Sequence, residues 1–129
     1  LAGVDVRLMI PLHCDSKLVS WASRSYVMEA VEAGVKVLLY RGGFLHSKVI
    51  VCDDTLCSCG STNVDFRSFE NNFEVNAFIY DYETTLKMKT LFVEDETECV
   101  TTDCMPYMQH RPFRVRLFES LVRLLSPLL

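Results

Sequence analysis

The chain has no Cys-x-x-Cys pair, no low-complexity linker, no surplus of positive charge, and no apolar run near the roughly eighteen residues that a membrane-spanning helix requires. Each absence removes a class of explanation. A formal charge of -4, from 13 Lys and Arg against 17 Asp and Glu, argues against broad nucleic-acid binding, because affinity for a phosphate backbone depends on clustered cations. No nucleic-acid partner is therefore expected, although net charge alone leaves room for a small basic cleft. Histidine is scarce, with three copies, and no second histidine stands near His46 to build a zinc site, so neither a metal nor a cofactor is expected. The six cysteines, Cys14, Cys52, Cys57, Cys59, Cys99 and Cys104, are too many to ignore. A chain of 129 residues that is 50% apolar can nevertheless build a core without staples. Cys57 and Cys59, two apart, share a strand face but not disulfide geometry. All six read as reduced, mostly buried, small apolar side chains.

The length suits one domain, 1–129. Its first residue is Leu1, and the chain runs at once into "VDVRLMI", a strand pattern with no leader, which is the look of a cut through a longer protein or of an expression boundary, so the lack of a targeting signal excludes nothing. "GVDVRLMI" and "GVKVLLY" are β-branched apolar runs of the kind found in covered sheets. Between them Asp15 and Ser16 can cap a helix. Val19, Ala22, Tyr26, Val27, Ala30 and Val31 repeat at helical spacing up to Gly34. This strand-helix-strand unit predicts two parallel neighbours.

"KVIVCD" and "TLCSCG" predict a hairpin about Asp53-Asp54, and "FEVNAFIY" a further strand over Phe73 to Tyr80. Asp81 can cap a helix that carries Met88, Leu91 and Phe92 inward and fades into the acidic stretch Glu94 to Glu98. Pro112 fits the first turn of a last helix with Leu117, Phe118, Leu121, Leu124 and Leu125 on one side. With Arg114, Arg116 and Arg123 that helix could lie on an anionic membrane, but packing on the sheet is the commoner use of such a face. The expected class is α/β: a mixed, largely parallel β-sheet flanked by helices on both faces.

The chemistry concentrates in "FLHSKVIVCDDTLCSCGSTNVDFRSFENNFE". His46 and Lys48, two apart at a strand start, point to one face. Ser61 and Asn63 follow the next strand across the Gly60 turn, and Glu74 opens a third. One imidazole, one cation, neutral donors and one carboxylate are what phosphodiester transfer needs.

These residues resemble the phospholipase D superfamily, whose signature is H-x-K-x4-D-x6-G-S-x-N. His46, Lys48, Asp53, Gly60, Ser61 and Asn63 fill every fixed position. The likeness extends through "GVDVRLMIP", "GSTNVDFRSFENNFEVN" and "RLFESLVRLLSPLL", and over nearly the whole chain is similar to the C-terminal half of the bacterial cardiolipin synthases of the phospholipase D type. It implies a first H-K-D lobe and membrane segments upstream, and hence a catalytic lobe peripheral to the bacterial cell membrane.

The resemblance also implies a metal-independent transfer in two steps. One histidine forms a phosphatidyl-histidine and the other serves as acid and then base, one from each lobe. Two phosphatidylglycerols would give cardiolipin and glycerol. His46, Lys48, Asp53 and Glu74 are the implied catalytic set: Lys48, Ser61 and Asn63 hold the phosphate, and Glu74 orients the imidazole. Asp53 is more structural than catalytic in the family, and Asp65, Arg67 and Ser68 are ranked as loop scaffold. Whether His46 is nucleophile or acid stays open.

A histidine at a strand start is more often a surface or core residue, and it is the company of Lys48, Ser61, Asn63 and Glu74 that reverses this. His13, in "PLHCDS" at a strand end where open α/β sheets bind ligands, is a weaker substrate-facing candidate, and His110 is read as surface. Two alternatives stand beside the synthase lobe. One is a phospholipase D-type endonuclease or phosphodiesterase whose homodimer pairs two copies of His46. The other is a non-catalytic lobe kept for lobe pairing. On the synthase reading the chain alone is expected to be nearly inactive, and it could form an artificial homodimer through the face left bare.

Overall fold

The computed structural model describes residues 3–13, 17–101 and 112–123. Its elements run β1 (Arg7–Pro11), α1 (Lys17–Glu32), β2 (Lys36–Tyr40), β3 (Val49–Cys52), β4 (Leu56–Gly60), α2 (Phe66–Glu70), β5 (Asn76–Ile79), α3 (Tyr82–Glu96), β6 (Cys99–Thr101) and α4 (Phe113–Arg123). They divide into two compact units, Leu1–Leu45 with Glu98–Leu129, and His46–Thr97.

In the first unit β1 and β2 are parallel, Arg7 opposite Lys36 through Pro11 opposite Tyr40, with α1 as the crossover. α1 stops because Gly34 takes φ +90. The Gly34 amide bonds Val31 O and the Val35 amide bonds Ala30 O, both at 2.9 Å, a reverse turn that only glycine enters without strain. The apolar run of β2 forms the core: Val37 and Leu39, the latter 3% exposed, pack with Val27 of α1 and are ringed by Ile10, Ala30, Val31 and Val100. Each such burial contributes about 1.5–3 kcal/mol. β6 closes the other edge of β2 antiparallel, Leu38 opposite Thr101. α4 packs on α1.

In the second unit β3, β4 and β5 form an antiparallel sheet with β4 in the middle. The β3–β4 turn puts Asp53 at φ +49, a left-handed conformation that Asp tolerates, and Thr55 N donates to Cys52 O at 3.4 Å. Val51, Cys57 and Ile79 stand opposite one another on one face. α3 packs on β3 and β4. Ile50 and Phe78, which share the opposite face with Ser58, are exposed. The expected cap is present: Asp81 Oδ2 accepts the Thr84 amide at 2.8 Å.

The largely parallel sheet expected from the sequence is corrected here. There are two three-stranded sheets, and β1–β2 is the one parallel pair among the described residues. The reason is chain length. A parallel neighbour needs a crossover of a dozen or more residues, and the turn between β3 and β4 is far too short for one. β5 is shorter than its apolar pattern, and α3 runs through Glu94 and Glu96 rather than fading. Leu91 faces out, while Met88 and Phe92 are half-buried. Strand β6 and helix α2 carried too few periodic residues to be read. Of the four cysteines described, none in a disulfide, Cys57 is buried, Cys59 and Cys99 half-buried and Cys52 exposed. Asp15, Ser16, Cys14, Cys104, His110, Leu124 and Leu125 lie outside the described residues.

Candidate functional site

Three chain segments meet at one end of the β3–β4–β5 sheet. The first is the extended run His46 to Lys48 that leads into β3. Gly60 N donates to Lys48 O at 3.2 Å, and this lengthens the β3–β4 ladder by one step. Ser61 N donates to Val75 O at 2.9 Å and does the same between β4 and β5. The ladders thereby bring Lys48, Ser61 and Glu74 to neighbouring strand ends. Gly60 makes this possible: a Cβ there would drive into the Val75 carbonyl and the Asn76 side chain and stand 2.7 Å from Asn76 Cα.

The Glu74 carboxylate is the hub. Its Oε2 accepts a short hydrogen bond from the Ser61 hydroxyl, whose oxygen in turn accepts the Val75 amide at 3.0 Å. Its Oε1 accepts from Asn72 Nδ2 at 3.4 Å. The Ser61 bond, foremost, holds the Glu74 pKa below its ordinary 4.5, with the Asn72 hydrogen bond and the charge of Lys48 adding to the effect against partial desolvation. Glu74 is thus a carboxylate at neutral pH, within the field of the Lys48 cation.

Lys48 is half-buried, and its ammonium donates to the carbonyl of His46 at 2.8 Å, a bond that folds the side chain back along its own strand. An ammonium has three protons, so two remain for an anion. His46, Ser61 and Asn63 are exposed. Asn63 is held from behind, its amide donating to Ser68 Oγ at 3.2 Å, while Asp65 caps α2 by accepting the Ser68 amide at 2.7 Å. Asn76 Nδ2 bonds Thr62 Oγ1 at 2.5 Å and fastens the loop to β5.

Asp53 is not part of this cluster. It sits in the turn at the far end of the hairpin, roughly 16 Å along the strand from Lys48 at about 3.3 Å per residue. Beside it Asp54 accepts from Lys89 of α3 at 2.5 Å. His13 belongs to the other unit and is exposed. Asn72 went unassigned in the sequence, although a residue two before Glu74 on an extended segment shares its side of the chain. Thr62 and Asn76 pair only once the β4–β5 register is known, so no sequence signal marked them.

The contacts bring an ammonium, a carboxylate, a hydroxyl and an amide to one exposed sheet end, on the segments that also carry His46 and Asn63, and these residue types are able to hold and polarise a phosphate group.

The family model described as cardiolipin synthase, PLD-like domain, matches residues 1–96. The chain is 54% identical over its whole length to a cardiolipin synthase of Geobacillus thermodenitrificans, 48% to cardiolipin synthase 2 of Bacillus anthracis and 46% to the major cardiolipin synthase ClsA of Bacillus subtilis. It covers 26%, 25% and 27% of those proteins, and so spans about a quarter of the length of the curated relatives it matches. No solved structure matches the chain.

Proposed function

The chain belongs to the cardiolipin synthase, PLD-like domain family of the phospholipase D superfamily, and on that premise we propose that it is the second catalytic lobe of a cardiolipin synthase. Its substrate is phosphatidylglycerol at a membrane surface, and its partner is a preceding lobe with its own H-K-D motif. No helix among the described residues is long and apolar enough to cross a membrane, so on this reading the lobe is peripheral.

His46 is one of the two histidines of the reaction. In the first step a histidine nitrogen attacks the phosphorus of one phosphatidylglycerol, the P–O bond to glycerol breaks, and the other histidine protonates the departing glycerol. In the second step that histidine takes a proton from the free hydroxyl of another phosphatidylglycerol. The resulting oxygen attacks the phosphohistidine and releases cardiolipin and the free imidazole. Lys48 neutralises the nonbridging oxygens, and Asn63 donates to them as the phosphorus becomes pentacoordinate. Glu74 orients the imidazole and favours its charged form. Ser61 assists, on these contacts, through Glu74. Asp53 shapes the hairpin.

The observation that supports this reading is the meeting of Lys48, Ser61 and Glu74 at one sheet end, on the segments that carry His46 and Asn63. The test is His46→Ala in the full-length protein, with cardiolipin formation from phosphatidylglycerol vesicles as readout. Loss of at least about a thousandfold is expected for removal of a covalent or acid-base group. Undiminished synthesis would sink the assignment.

A further inference from the structure

The two oxygens of the Glu74 carboxylate are held from two different directions. Oε2 accepts the Ser61 hydroxyl, which belongs to the loop that follows β4. Oε1 accepts Asn72 Nδ2 at 3.4 Å, a long bond. Asn72 stands just past the end of α2, where its backbone amide and that of Asn71 both donate to the Arg67 carbonyl, at 2.8 and 2.9 Å. The backbone of the donor is thus tied to the end of α2 before its side chain turns to Glu74. A carboxylate bonded through one oxygen alone can still swivel, because the last torsion of a glutamate side chain is broad and roughly two-fold. A second donor on the other oxygen restricts that freedom and leaves the remaining lone pairs aimed one way.

We propose that Asn72 is a positioning residue for phosphoryl transfer, its side-chain amide fixing the plane of the Glu74 carboxylate, whose other oxygen Ser61 holds. The catalytic consequence rests on the transferase reading, in which Glu74 orients an imidazole; the contact itself does not. A residue that only shaped the turn would be replaceable by aspartate, which suits turns as asparagine does. Aspartate, however, has no amide proton to give and sets a second carboxylate against the first, and like charges so placed resist joint ionisation. Asn72→Asp therefore separates the two roles.

The experiment compares the full-length parent with Asn72→Ala, Asn72→Asp, Glu74→Ala, the double variant that carries both alanines, and His46→Ala. It measures kcat and KM for cardiolipin formation from phosphatidylglycerol vesicles, and the thermal midpoint of every protein. Asn72→Ala is expected to lower kcat about 10-fold and Asn72→Asp about 100-fold, both with KM within about twofold, because a misplacement of about 1 Å can cost on the order of a hundredfold. In the Glu74→Ala background, removal of Asn72 is expected to lower kcat no further and to shift the midpoint less than it does in the parent, the mark of two groups in contact. Parental kcat in Asn72→Asp would overturn the proposal, as would a rise in KM with kcat unchanged or midpoint shifts that simply add. So would a variant that loses rate only in proportion to its loss of folded protein. If His46→Ala is as active as the parent, the transferase reading fails by itself, and the midpoint cycle still decides whether Asn72 holds Glu74.

Discussion

The Ser61 hydroxyl gives its single proton to the Glu74 carboxylate and takes the Val75 amide at 3.0 Å. A serine has one proton to donate, so the same hydroxyl cannot also donate to a phosphate without first releasing Glu74. Its contribution in this arrangement is to hold the carboxylate ionised and aimed.

Ser61→Ala therefore acts first on acidity. The folded pKa of Glu74 lies below its ordinary 4.5, chiefly through Ser61, so the stability it contributes is present above the unfolded value and is lost as pH falls through the folded one. Without the hydroxyl that contribution shrinks, and less stability is left at neutral pH before acid removes the rest. Acid unfolding followed by circular dichroism is expected to begin earlier in Ser61→Ala than in the parent, with Ser61→Thr close to the parent. Coincident curves for all three would mean that Ser61 does not tune Glu74.

Lys48 meets a geometric demand that arginine does not. Its ammonium bonds the His46 carbonyl at 2.8 Å and keeps two protons for an anion, as a compact charge. Lys48→Met in the full-length protein is expected to lower kcat/KM by about 10²–10³, the loss typical of a donor aimed at transition-state charge. Lys48→Arg is expected to recover only a small part, since a planar fork cannot make the back-bond and present the same point of charge. Full recovery by arginine would show that charge alone matters there.

Gly60 carries the ladder step beside Ser61, and a methyl group at its Cα has nowhere to go but into the Val75 carbonyl and Asn76. Gly60→Ala is expected to cost about 1–3 kcal/mol by overpacking against backbone, measured by urea denaturation. The site should suffer along with the fold, because Ser61 and Val75 separate when β4 and β5 do. An unchanged midpoint would mean that the strands part at no cost.

These contacts show what the sequence could and could not reveal. Lys48, Ser61 and Glu74 were legible as neighbours because the strands they flank were, and side-chain alternation with period two needs no tertiary information. β2 was legible for a similar reason, since "KVLLY" is apolar almost throughout. The sheet order was not legible. Whether β3 joins β2 or starts a new sheet depends on backbone pairing that leaves no pattern in the residues themselves. The Asn76–Thr62 and Lys89–Asp54 bonds are hidden in the same way, being made by residues 14 and 35 positions apart.

The core of the first unit offers a cleaner test of energetics, away from the site. Leu39 is buried between Val27 and the half-buried ring around it. Leu39→Ala is expected to destabilise by about 2–5 kcal/mol, the removed contacts and the residual cavity adding together. Val37→Ala, a smaller truncation on the same strand, should cost less. The reverse order in denaturation midpoints would place the centre of this core nearer Val37.

Thr85 presents the opposite case, a residue whose replacement should strengthen the protein. It lies in the first turn of α3 with no accessible surface, and its Oγ1 has no hydrogen-bond partner among the described residues. A buried hydroxyl left unpaired carries a desolvation cost of about 1–3 kcal/mol that valine, of nearly the same shape, does not. Helix propensity hardly changes, because both residues are β-branched. The Asp81 cap, made by side chain to the Thr84 amide, is untouched. Thr85→Val is accordingly expected to raise the denaturation midpoint by about 1–2 kcal/mol equivalent, while Thr85→Ser, which keeps the hydroxyl and loses the methyl, lowers it. Should valine destabilise instead, the hydroxyl must be engaged in solution, with the carbonyl of Asp81 one turn earlier as the nearest partner that helical geometry allows.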